Sequence, residues 1–204
     1  MTKINKIKRG KFFTFQNLFC SFFGVGWSNY APGTLGSLAA FVLWFIIVNV
    51  SKSYGVGIVH LTYFMTATLI VLTIIGIFAT NKYIKEIGKK RSDPKEVVID
   101  EVVGQLIVIC YTYMFIDKYT NFTNESLNNL IIYGHLLSCF VLFRFFDILK
   151  PSLIGYIDRN FKGGLGVMLD DVMAAVFSIV MINGMIFLTK LYFSSGFRFI
   201  DFFH

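Results

Sequence analysis

The acidic residues of this chain are few, and where they fall carries most of its chemistry. There are only 12 Asp and Glu in 204 residues. Asp100-Glu101, Asp147 and Asp170-Asp171 each sit at the edge of a hydrophobic run, in VVIDEVVGQ, FRFFDILKP and GGLGVMLDDVMAA. Arg144, Lys150, Arg159 and Lys162 lie close by in sequence. A carboxylate beside a membrane-length apolar segment is costly to desolvate unless a proton, a cation or a metal accompanies it. Grouped oxygen ligands suit a hard divalent cation, and neighbouring Arg and Lys suit an anion such as a phosphate. The combination implies chemistry on a phosphate at a membrane surface.

Each segment also has a plainer reading. On a helix Glu101 and Gln105 share a face, while Asp100 points about 100° away from Glu101. Adjacent carboxylates so arranged divide into ligand and base, or simply favour a helix N-terminus through the macrodipole. Arg144, Asp147 and Lys150 recur every three residues. They form either a phosphate-binding polar stripe, with Asp147 on a metal, or a structural Arg144–Asp147 pair on a helix ended by Pro151. Asp170 and Asp171 repel each other and stay ionised most easily beside a cation; helix capping accounts for one of them better than for both. In GVGWSNYAPGTLGS, residues 24–37, Gly24, Gly26, Gly33 and Gly36 permit close backbone approach. Thr34 and Ser37 there are good N-cap types, so Gly33, Thr34 and Ser37 predict a helix N-terminus that could receive a phosphate. The bland account is a turn and a cap.

These segments must be positioned by membrane helices. The chain is 55% hydrophobic with 24 Phe and three Pro, and its mean hydropathy is +0.65, well above soluble domains. Apolar runs cover residues 35–50, 55–80, 102–116, 130–149 and 172–189. A spanning helix needs roughly 20 residues, so the first and third runs are short. The reading is an all-α integral membrane bundle of four to five transmembrane or half-buried helices, in a single domain over residues 1–204. With the N-terminus cytoplasmic and each run crossing once, only Lys52, Lys118, Lys190 and Arg198 of the Lys and Arg residues fall outside, as the positive-inside rule requires. The same arrangement puts all four chemistry-bearing segments on the cytoplasmic side.

Several classes are excluded. The net charge of +7 flanks apolar spans instead of interleaving with a polar recognition surface, which speaks for anionic lipid and against nucleic acid. Cys20, Cys110 and Cys139 have neither disulfide nor zinc spacing. His60 and His135 lie in apolar runs away from the acids, and no nucleophilic triad or Walker sequence is present. Two other readings use the same residues: a transporter for a divalent cation or a phosphate compound, and a non-catalytic subunit that docks through its charges.

Taken together, GVGWSNYAPGTLGSLAA, DPKEVVIDEVVGQ, FRFFDILKPSLIGYIDR and GGLGVMLDDVMAA, in that order over residues 24–175, resemble the phosphatidylglycerophosphatase A family. Ala175 stands where that family usually has Gly. The resemblance implies a bacterial inner-membrane phosphatase of phospholipid biosynthesis. Such an enzyme hydrolyses the terminal phosphomonoester of phosphatidylglycerophosphate, among membrane lipids and with Mg²⁺. The candidate metal ligands are Asp100, Glu101, Asp147, Asp170 and Asp171. Glu101, Asp100 and Asp171 are the candidate catalytic groups, with Glu101 as the base for water. Gly33, Thr34, Ser37, Arg144 and Lys150 are the candidate substrate contacts.

Overall fold

The computed structural model describes residues 14–87, 94–116 and 125–194. Among them are seven α-helices and no strand: α1 (Phe15–Cys20), α2 (Pro32–Ser53), α3 (Ile58–Ile87), α4 (Ile99–Ile116), α5 (Glu125–Leu149), α6 (Ser152–Asn160) and α7 (Gly164–Ser194). Five of them contain segments long and apolar enough to cross a membrane: Pro32–Ser53, Ile58–Ile87, Ile99–Ile116, Asn128–Leu149 and Gly164–Thr189. The architecture is thus the expected all-α membrane bundle. The cationic stretches at residues 3–11 and 88–91, together with Lys118 and Arg198, on which the charge asymmetry leaned, lie outside the described residues.

The short third run is the centre of the bundle. Within its span α4 is 67% buried, against 22–33% for the other four. It packs on α2, α3, α5 and α7, which turn Val42, Phe45, Phe64, Phe78 and Val180 outward. An all-round apolar helix is the kind that others enclose, and at about 1.5 Å per residue eighteen residues still approach the bilayer core thickness. Gly104 sets how closely the helices approach. A Cβ there would stand 2.7 Å from the Phe143 ring of α5 and 3.1 Å from the Asp171 carbonyl of α7. Small residues at such crossings are the usual means of packing helices in lipid.

Three helix ends differ from the sequence expectation, and each difference bears on the site. Thr34 and Ser37 were expected as caps, but α2 begins at Pro32, with Ala31 in a left-handed conformation at the N-cap. Proline at the first position already has its φ set and has no N–H to leave unpaired, so the helix starts there and both hydroxyls fall inside it. Lys150 was expected to continue the Arg144–Asp147 stripe. Pro151 disfavours a helical residue before it; α5 stops at Leu149, and Lys150 turns out of the helix with φ 44°. Finally, α7 begins well before residue 172, because the Asn81 side chain of α3 accepts the Gly164 N–H at 2.8 Å and closes its first turn.

Gly33 of α2 meets Glu101 of α4 and Arg144 of α5, and Gly164 of α7 meets Ile77 and Asn81 of α3. The N-termini of α2, α4 and α7 therefore share one end of the bundle with the C-termini of α3 and α5.

Candidate metal centre

Asp100 and Glu101 occupy the first turn of α4, where negative charge is favoured. The chain enters that turn through buried Val97 and Val98, with the Val98 N–H bonded to the Cys20 carbonyl at 2.9 Å. Asp171 lies in the second turn of α7, which Gly104 lets approach α4. The carboxylate oxygens of Asp100, Glu101 and Asp171 come within 4.8 Å of one another. Asp100 and Asp171 are 6% and 3% exposed. Both adjacent acid pairs use the same local bond: Asp100 Oδ1 accepts the Glu101 N–H at 3.1 Å, and Asp170 Oδ1 accepts the Asp171 N–H at 3.0 Å.

Arg144, one helix over, holds Asp147 at 2.5 Å and reaches Glu101 at 4.0 Å. Asp147 is also an electrostatic neighbour of Asp171. Arg144 thus meets Asp147 and Glu101 of a group that also holds Asp100 and Asp171, and so much negative charge at low exposure calls for a further cation or for protons. Glu101 Oε2 and Asp171 Oδ2 are buried without a hydrogen-bond partner. Carboxylate oxygens gathered in one small volume are what a divalent cation takes up. A donor set of oxygens alone, with no Cys or His in it, fits a hard ion such as Mg²⁺.

The sequence-designated residues divide into two groups. Asp100, Glu101, Asp171, Asp147, Arg144 and Gly33 come together. At Gly33 a Cβ would collide with Glu101 Oε1 and stand 3.3 Å from Arg144 Nη1; the absent side chain makes the space that Glu101 fills. Thr34 lies in the same turn of α2. The Ser37 hydroxyl is buried and donates to the Gly33 carbonyl at 3.1 Å. Lys150 and Asp170 form an adjoining unit, with Asp170 an electrostatic neighbour of Asp171: the Lys150 ammonium bonds to Asp170 and, at 2.7 Å, to Asp158 of α6. Burial alone would lower the pKa of Lys150, but these two hydrogen bonds and the charges behind them outweigh it and raise the pKa above the ordinary lysine value. His135 lies far along α5, its Nε2 3.2 Å from the Thr112 hydroxyl.

Sequence reasoning passed over three participants. Asp158 closes the Lys150 bridge, and Asn81 fixes the start of α7. Gln105, noted only as sharing the Glu101 face, is 0% exposed with neither end of its amide bonded. A polar residue one turn from Glu101 inside an apolar run was the signal available for it.

Membrane-length helices around a buried carboxylate and arginine cluster define a polytopic membrane protein. The sequence model of phosphatidylglycerophosphatase A matches residues 18–186. The chain belongs to that family, a family of phosphatases. It is 32% identical to a phosphatidylglycerophosphatase A of Haemophilus influenzae over 89% of this chain and 95% of the relative. It is also 32% identical to that of Escherichia coli over 76% of this chain and 74% of the relative. A Bacteroides thetaiotaomicron protein provisionally named a phosphatidylinositol-3-phosphatase is 35% identical over 78% of this chain and 86% of its own length. No solved structure matches the chain.

Proposed function

We propose that the protein is a Mg²⁺-dependent lipid phosphatase. It would hydrolyse the terminal phosphomonoester of phosphatidylglycerophosphate to phosphatidylglycerol and phosphate, on the cytoplasmic side of a bacterial inner membrane, in phospholipid biosynthesis. The observation that carries the reading is the convergence of Asp100, Glu101 and Asp171 within 4.8 Å, beside Arg144. The headgroup rests on the family and on the names of its relatives.

Asp100, Glu101 and Asp171 would hold the ion, whose chemistry when bound is to neutralise phosphate charge and make a water more acidic. Arg144, fixed by Asp147, presents its guanidinium to the phosphoryl oxygens, a geometry suited to bidentate contact. The first-turn N–H groups of α2 at Gly33 and Thr34 lack partners within the helix and add positive potential at the same place. Glu101 takes a proton from water as the water oxygen attacks phosphorus. The P–O bond to the glycerol oxygen breaks, that oxygen takes a proton from solvent water as it leaves, and protonated Glu101 returns its proton to solvent. No Cys, Ser or His stands in the cluster to serve as a nucleophile, so the reading is direct attack by water.

A transporter would place its charges near mid-membrane with access from both sides. Here Glu101 and Asp171 sit in the first two turns of their helices, at one end of the bundle.

The test is phosphate release from phosphatidylglycerophosphate by detergent-purified protein, with Mg²⁺ or with chelator, beside Asp171→Asn. Phosphatidylinositol 3-phosphate serves as the second substrate. Metal-dependent release that Asp171→Asn abolishes is expected. Folded wild-type protein that releases no phosphate from phosphatidylglycerophosphate would overturn the proposal, and a trapped phosphoenzyme would overturn direct attack.

A further inference from the structure

The unpaired polar atoms inside the bundle include a group gathered at the site. Glu101 Oε2, both ends of the Gln105 amide, Arg144 Nε and Asp171 Oδ2 are buried without hydrogen-bond partners. Glu101, Asp171 and Arg144 already belong to the cluster. Gln105 lies one helical turn from Glu101 on the same face of α4. That face continues to Thr112, whose hydroxyl meets His135 and Cys139 of α5. The strip formed by Glu101, Gln105 and Thr112 is therefore turned toward α5, the helix that carries Arg144 and Asp147.

Structural glutamines in helical cores bond to a neighbouring backbone or side chain, because an unbonded buried amide is costly. Gln105 bonds to neither, although Val102, Leu106, Val108 and Ile109 around it are fully or almost fully buried. An apolar side chain of the same size would satisfy packing better. One turn back on the same face of α4 is Glu101, whose Oε2 is likewise unbonded.

We propose that Gln105 is a positioning residue for Glu101. Through one ordered water its Nε2–H holds Glu101 Oε2, and its Oε1 accepts from the same water. The Glu101 carboxylate is thereby kept in one orientation toward Asp100 and Asp171. Residues that orient ligating carboxylates in this way typically contribute about 10- to 100-fold to metal affinity or activity. The inference rests on the reading of the cluster as a cation site.

Gln105→Met keeps the volume and removes both polar ends, and Gln105→Asn keeps the amide one methylene short. Each variant, as full-length protein in detergent, is compared with wild type in three ways: Mn²⁺ binding by calorimetry, thermal unfolding without cation, and kinetics on phosphatidylglycerophosphate. The Met variant is expected to bind Mn²⁺ about tenfold more weakly or worse. Its kcat should fall by about 10- to 100-fold with KM within about threefold, and its cation-free Tm should hold or rise. The Asn variant should recover part of the loss. Mn²⁺ affinity and kcat equal to wild type in Gln105→Met overturns the proposal. A cation-free Tm that falls together with both overturns it too, because that is the signature of a packing role. If wild type binds Mn²⁺ yet releases no phosphate from this lipid, the substrate reading fails while the Mn²⁺ comparison still decides Gln105.

Discussion

Replacing Gly33 by alanine adds a single methyl group, and the structure predicts a small cost in stability and a large one in catalysis. Glycine inside a helix is about 1 kcal/mol less favourable than alanine, so local propensity alone says Gly33→Ala stabilises α2. The new Cβ, however, lands on Glu101 Oε1 and 3.3 Å from Arg144 Nη1. Neither neighbour has open space to retreat into: Glu101 shares its pocket with Asp100 and Asp171, and Arg144 is held by Asp147 at 2.5 Å. Overpacking of this kind costs about 1–3 kcal/mol. Set against the helix gain, the net change is about 0–2 kcal/mol of destabilisation, or a fall in Tm of up to about 8 °C at this chain length. The carboxylate must move by about 1 Å to clear the methyl, and a misplacement of that size costs about 100-fold in rate. Phosphate release and thermal unfolding on the same preparation separate the two effects. A Gly33→Ala protein with wild-type turnover would refute the claim that Glu101 works from the space the glycine leaves.

Lys150→Met removes the ammonium that bonds buried Asp170. Breaking a buried pair costs about 3–5 kcal/mol; Lys150 is 25% exposed, so about 2 kcal/mol is expected, read as a fall in Tm of several degrees. The folded pKa of Lys150 is raised, so the bridge is complete below the ordinary lysine pKa and is lost only as pH climbs through the raised value. The Tm deficit of the variant should therefore be constant between about pH 6.5 and 8.5, and a deficit that disappears in that window contradicts the assignment. Arg144→Lys keeps the charge but loses the planar fork, and kcat/KM should fall by about 10- to 100-fold, as for a lost charge-assisted contact of about 1.5–3 kcal/mol; an unchanged value would place the phosphate elsewhere. For orientation, cysteine at exposed Lys162 should react with an impermeant maleimide only from the cytoplasmic side, and cysteine at exposed Tyr54 only from the other. The reverse pattern in inverted and right-side-out vesicles would turn the bundle over.

Much of this protein was legible in its sequence because lipid imposes severe rules on a chain. Backbone polar groups must be satisfied within helices, so apolar run length gives the helices directly, and charges at run edges stand out as expensive. That logic identified the bundle and selected Asp100, Glu101, Asp147, Arg144 and Asp171 before any contact was known. Family membership was legible for the same reason, in motifs placed at the helix ends. What one dimension could not show is which charges meet. Lys150 and Asp170 were grouped with the others by spacing alone, and only the turn before Pro151 shows Lys150 bridging Asp158 and Asp170. Gly33 read as a flexible residue, whereas its importance is the volume it leaves for a carboxylate two helices later in the element order. Gln105 read as one polar residue among apolar ones, and only the enclosure of α4 by its neighbours shows an amide with no bonded partner among the described residues. Side-chain type and period are local properties and survive projection onto a sequence. Volume and electrostatic partnership are set by helices brought together from distant parts of the chain, so only the packed bundle decides them.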